Sequence, residues 1–236
     1  MRFISKESKK IPAKCEGGTP TPERTKRGRK SVEAALIAAA SELLSEVGPQ
    51  QMSIRDVARL AGVNHGQVHH YFKGKEGLIR AAMRSLAQEH LEHATERAGG
   101  GVMPPALTLS HDRQYQRAVI RLVLDGRVDL ATMEIDDGVS VPQNILAEMT
   151  RSAGLKKPSI EAKAVLAGII ALEQGWGALE DYIFTMVDAQ PGEMKKIREL
   201  IIKVFRELPK TMGLEMPAEE AYGARVKTVK KENDNA

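Results

Sequence analysis

Between Ser53 and Phe72 a helical apolar pattern stops, turns and restarts within a few residues, and this interruption constrains the fold more than any other stretch. Ile54, Val57, Ala58 and Ala61 fall at the i, i+3, i+4, i+7 positions of one helical face. Gly62 breaks the pattern and takes a positive φ without steric cost. Asn64 has the side chain to cap a second short helix, His65 to Phe72, with Val68 and Phe72 inward. Ser53 is a good N-cap for the first helix, Ser53 to Leu60, and Asp56 three residues on resembles a capping box with a shorter acid. Two short helices joined by a glycine-containing turn form a helix-turn-helix, and the small residues Ala58 and Ala61 let them approach. The exposed N-terminal part of the second helix of such a motif enters the major groove of duplex DNA. That face here offers His65, Gly66, Gln67 and His70. Gln67 suits the paired N6/N7 edge of adenine, and Gly66 lets the backbone come close.

The flanks extend the helical pattern. Val32, Leu36, Ala39, Leu43 and Val47 define one face of a helix that starts near Ser31 and stops at Gly48-Pro49. Lys73-Gly74 is a turn, and a further helix covers Lys75 to Thr95 with Leu78, Ile79, Ala82, Leu86 and His90 on one side. Gly99 to Gly101 and Pro104-Pro105 mark a link to a second helical region. There the pattern predicts helices from Asp112 to Asp125, from Pro142 to Gly154, from Ser159 to Val187 and from Pro191 to Leu208. Residues 126–141 are ambiguous. The last helix carries Ile197, Ile201, Val204 and Leu208 on one stripe. The expected fold is all-α: a basic N-terminal arm (1–30), a helix-turn-helix DNA-binding domain (31–95), a larger helical ligand-binding and dimerisation domain (104–212) and a polar tail (213–236).

Charge is distributed unevenly over the 236 residues, whose formal net charge is +4. Residues 1–30 hold ten Lys/Arg against three Glu, and the remainder is close to neutral. A flexible basic arm suits phosphate or minor-groove contacts, and it equally suits a solvated tail. The single cysteine, Cys15, rules out a disulfide framework within the chain. The N-terminus has no apolar signal core, and the apolar run Leu166 to Leu172 is far too short to span a bilayer, so a cytoplasmic location is expected. No G-x-S-x-G elbow, G-x-x-x-x-G-K loop or G-x-G-x-x-G fingerprint is present, which argues against an enzyme. His90 and His93, beside Glu89 and Glu92, match neither helical zinc pattern and read as an exposed helix end; no metal or cofactor is expected.

The stretch Ser53 to Phe72, followed by Lys73-Gly74-Lys75-Glu76-Gly77-Leu78, resembles the DNA-binding domain of the TetR family of regulators. The resemblance is clear from about Ser31 to Glu92 and extends to the rest only in length and pattern. It implies a homodimer on a palindromic double-stranded operator, usually a repressor, released when a small-molecule effector binds the C-terminal domain. By position, it implies that Ser53 touches a phosphate, that His65, Gly66 and Gln67 face bases, and that His69 stands where the family usually places a phosphate-contacting Tyr. Lys75 would anchor a further phosphate. Asn64 replaces a common Ser, His65 a common Lys, and His69-His70-Tyr71-Phe72 the usual Tyr-Tyr-His-Phe. Ser53 is in any case a cap, Tyr71 has the look of a packing residue, and His70 is either a base reader or a bystander.

Two long helices, apolar on one face, would form a four-helix interface between two copies. Tyr115, Met133, Met149, Trp176, Tyr182 and Phe184 are candidates to line an apolar effector pocket, although such residues more often fill a core. A sequence-specific regulator is therefore the expected function, with a general DNA-binding structural protein as the alternative.

Overall fold

A computed structural model describes residues 28–99 and 104–211. The basic arm, the middle of the glycine-rich link and the polar tail thus lie outside the described residues. Those described form ten helices: α1 (Arg29–Gln51), α2 (Ile54–Leu60), α3 (Gly66–Phe72), α4 (Lys75–Arg97), α5 (Arg113–Leu124), α6 (Val128–Ala131), α7 (Met133–Asp136), α8 (Val141–Ser152), α9 (Ile160–Met186) and α10 (Met194–Thr211). A 3-10 turn, Thr108–His111, precedes α5, and no strand occurs among the described residues. None of these helices is long and apolar enough to cross a membrane.

An alanine-rich run makes α1 a strong helix former. Gly48 ends its regular course with φ 80° and ψ 173°, as expected of Gly48-Pro49, and a last turn reaches Gln51. The buried stripe differs from the expected one. Leu36, Ala40 and Leu44 are fully buried, whereas Val32, Leu43 and Val47 are partly exposed flankers. The reason is that α1 is held between α4 and α5 and buries two sides. Small buried residues, Ser41 and Ser45, face this crowded surface, and Arg121 of α5 donates to the Ser45 carbonyl at 2.9 Å.

One apolar core runs through both sides of the glycine-rich link. Leu36, Leu44, Val57, Val68, Leu78, Ile79 and Leu86 share it with Leu109, Tyr115, Leu122, Leu130 and Met133. The link at residues 99–104 divides the chain but not this core. A second cluster joins the end of α4 (Ala94) to α8 and α9 through Val141, Ile145, Met149 and Leu166. A third joins α9 to α10 through Val165, Ile169, Trp176, Phe184 and Phe205. The ambiguous segment resolves into two four-residue helices, α6 and α7, pinned by buried Leu130, Ala131 and Met133.

Side-chain caps open two of the helices, α2 at Ser53 and α9 at Ser159. The Ser159 hydroxyl accepts from Ala162 N–H at 3.1 Å and opens α9. Pro142 stands in the first turn of α8. The last helix is regular from Met194, three residues after the expected opening at Pro191, and the intervening turn carries a capping contact in which the Glu193 carboxylate accepts the Gln190 N–H at 2.9 Å. On α10, Phe205 is buried and Val204 is 53% exposed, a correction to the expected stripe.

Candidate nucleic-acid interface

The helix-turn-helix is built by short-range caps and seated by the common core. The Ser53 hydroxyl accepts the Asp56 N–H at 3.1 Å and donates to its carboxylate at 2.5 Å. The capping box is therefore modified: the short Asp side chain engages the Ser53 hydroxyl. This hydrogen bond, with the Arg59 guanidinium also beside the group, holds the Asp56 carboxyl below the usual carboxylate range. At the turn, Gly62 has φ 65°, and Val63 N–H bonds back to the Ala58 carbonyl at 2.9 Å. The Asn64 side-chain oxygen accepts the Gly66 N–H at 2.9 Å, so Asn64 caps the reading helix as expected, although regular helix begins at Gly66 instead of His65.

Val57, Ala58, Ala61, Val68 and Phe72 point inward. The opposite face of α3 is polar: His65, Gly66, His69 and His70 are exposed and Gln67 is half-buried. His70 makes an edge contact with Tyr71, ring centroids 4.9 Å apart. Tyr71 packs beneath Arg29, whose guanidinium lies 5.7 Å from the ring centroid. Lys75 opens α4 and donates to the Gln50 carbonyl at 3.2 Å, so its ammonium lies where α1 ends and α4 begins. Ser53, Lys75 and the exposed face of α3 thus belong to one compact motif.

Sequence reasoning missed Gly77. A Cβ there would lie 2.0 Å from the Phe72 carbonyl oxygen, so glycine is what lets α4 start directly beneath the end of α3. The signal was a glycine inside an otherwise regular helix. On its outer side α4 is tied to the next domain by ion pairs. Arg127 grips Glu76 with two bonds of 2.7 and 3.1 Å, and Arg84 reaches Asp137 at 2.8 Å. The Arg127 bonds draw the Glu76 carboxyl below its ordinary value.

The six candidate ligand-lining residues are not gathered into one site, although Trp176 and Phe184 meet edge to face with ring centroids 5.7 Å apart in the third core. Tyr115 and Met133 lie in the first core, Met149 in the second and Trp176 in the third. Tyr182 is 59% exposed on α9. The Tyr115 hydroxyl donates to Glu134 at 2.5 Å, and Trp176 Nε1 donates to Glu180 at 2.8 Å.

His93 is exposed as expected of a helix end, but His90 is not. His90 is buried, stacks on Tyr115 at 4.4 Å, and shares hydrogen 2.8 Å from Asp112; His93 reaches the other Asp112 oxygen at 2.7 Å, and Arg97 donates to the same carboxylate at 2.9 Å. Helical periodicity had turned His90 inward, but nothing local announced a partner at Asp112. Among the described residues there is no group of three or more His, Cys, Asp or Glu arranged to hold a metal.

Residues 36–82 match the family described as bacterial regulatory proteins, tetR family. The chain is 36% identical over 109 residues to the HTH-type transcriptional repressor Rv3405c of Mycobacterium tuberculosis, covering 45% of this chain and 55% of that one. It is 40% identical over 94 residues to the HTH-type transcriptional regulator BetI of Ectopseudomonas mendocina, covering 40% and 43%. The chain thus spans about half the length of the curated relatives it matches. Among solved structures, a tetR-family transcriptional regulator from Streptomyces coelicolor superposes with a TM-score of 0.55 at 19% identity, over 79% of this chain and 83% of that one. Salmonella enterica GusR gives 0.51 at 13%, over 79% and 95%. These likenesses concern the fold.

Proposed function

We propose that this chain, whose residues 36–82 match the family described as bacterial regulatory proteins, tetR family, is a member of that family and a sequence-specific, DNA-binding transcriptional repressor acting as a homodimer in the cytoplasm. The observation that carries the reading is the polar face of α3. His65, Gly66, Gln67, His69 and His70 stand outward on a helix whose other face is locked by Val68 and Phe72. Gln67 and His65 are the base readers, and Ser53, His69 and Lys75 hold phosphates.

Dimerisation is supported by the apolar side chains that α9 and α10 leave exposed. Leu179, Tyr182 and Met186 on α9 and Leu200 and Val204 on α10 are each about half exposed or more. A second copy would cover this surface and set two reading helices for a palindromic operator. The small, largely apolar effector rests on the family resemblance alone, and the dispersed candidate residues do not define its site.

Selection from a random duplex library, followed by anisotropy titration with unselected competitor, tests the reading. A palindromic consensus that survives competitor is expected. Equal affinity for selected and random duplexes overturns it. The alternative, a general DNA-binding structural protein, draws on the basic arm alone. It predicts that deleting residues 1–30 abolishes all binding; the repressor reading predicts weaker but still selective binding.

A further inference from the structure

Leu107 and Leu109 stand two residues apart and belong to different cores. Leu107 packs with Val165, Ile169 and Trp176 of α9. Leu109 lies in the core shared by α1, α4 and α5. The segment between α4 and α5 therefore straddles the two halves of the molecule, and it is gripped at both ends by carboxylates. Glu173 of α9 accepts the backbone N–H of Leu107 and, at 3.2 Å, that of Leu109. At the other end Asp112, whose side chain is 5% exposed, is held by His90, His93 and Arg97 of α4 at 2.8, 2.7 and 2.9 Å.

Neither grip is a sliding apolar contact. Each is a charge-assisted hydrogen-bond set whose length and direction are fixed. The Leu107 backbone has φ 66°, a conformation that a branched L side chain adopts only when its surroundings impose it. Gln116, one turn into α5, donates to the carbonyls of Glu173 and Gln174 at 3.1 and 3.2 Å. There α9 passes so near that a Cβ on Gly177 would overlap the Gln116 amide. A displacement of α9 must therefore carry Leu107–Asp112 with it or break these bonds.

We infer that Leu107–Asp112 is a rigid strut that transmits the position of α9 to the C-terminal half of α4. The other end of α4 packs against α3 in the shared apolar core through Leu78 and Ile79 with Val68 and Phe72, so the strut is linked to the reading helix through the length of α4. The inference concerns how the halves are coupled and does not depend on the operator.

Hydrogen exchange on the full chain, without DNA, tests it. Glu173→Gln turns an amide N–H toward the strut's own N–H donors. It should speed exchange several-fold at residues 104–112 and also at residues 90–97 of α4. Asp112→Asn should speed exchange in the opposite direction, at residues 173–177 of α9. His93→Asn, at a half-exposed side chain that folding tolerates, should give the same distal pattern at smaller amplitude, and it decides the matter if the carboxylate variants do not fold. Faster exchange confined to the strut, with the distal segment unchanged, overturns the inference. A Glu173→Gln/His93→Asn double variant whose destabilisation is the simple sum of the singles also overturns it.

Discussion

A methyl group at Gly77 would meet the Phe72 carbonyl oxygen at 2.0 Å, and backbone cannot yield as a side-chain tip does. Gly77→Ala should therefore destabilise the helix-turn-helix by about 1–3 kcal/mol, the range for forced overpacking. A lowered urea midpoint with weakened DNA binding is the expected measurement. Ser53→Ala removes the cap on α2 and should cost about 1 kcal/mol, with Ser53→Thr restoring most of it. Gln67→Ala should leave the unfolding midpoint almost unchanged and reduce discrimination at one operator position by about 1–3 kcal/mol; unchanged discrimination in a mismatch series would remove Gln67 from the reading face. The caps Ser53 and Asn64 were legible because they act on N–H groups two or three residues away. Gly77 was not, because its constraint comes from the neighbouring helix and leaves no periodic trace.

At the scale of elements, the clasp between α4 and α5 makes stability depend on pH. Burial lowers the His90 imidazole below its ordinary range, against the pull of Asp112. The unfolded chain thus takes up that proton first, and stability should be steady above the ordinary imidazole range and fall below it. For Asp112, burial pushes the carboxyl up, but the bonds from Arg97, His90 and His93 overcome this and hold it below the usual value. Its contribution is present above the usual carboxylate range and is lost as pH falls through it. Burial raises Glu173 despite its backbone N–H partners, so its ionisation works in the opposite sense and partly offsets these losses. Unfolding midpoints followed from neutral to acid pH should show the first decline in the natural chain and not in His90→Gln. Helix α9, capped by Ser159, and α8, opened by Pro142 in its first turn, could be read from periodicity and from their opening residues. Helices α6 and α7, four residues each, could not, because tertiary burial of Leu130 and Met133 holds them and no local repeat does.

Across the whole molecule, the exposed apolar residues of α9 and α10 predict a self-associating face. Leu179→Glu with Met186→Glu should shift sedimentation from dimer to monomer and weaken binding to a full palindrome far more than to a half-site. Arg29, lying over Tyr71, brings the root of the basic arm beside the reading helix. Removing residues 1–27 should flatten the dependence of affinity on salt, since fewer counterions are released per complex. The excess of positive charge before residue 30 was plain in the sequence, whereas its place of origin beside α3 needed the fold. The glycine-rich link was equally plain, yet it misleads about where the chain could be severed. Helix α5 packs along α1 and contributes Tyr115, Ala118 and Leu122 to the core of the reader, so a fragment ending at residue 99 would lose part of that core. The smallest fragment that keeps this core whole ends beyond α7, since Met133 belongs to it and Val139 packs against it. A lineage exchanging sensors by recombination would have to cross over downstream of residue 137, leaving the first part of each apparent sensor permanently with the reader.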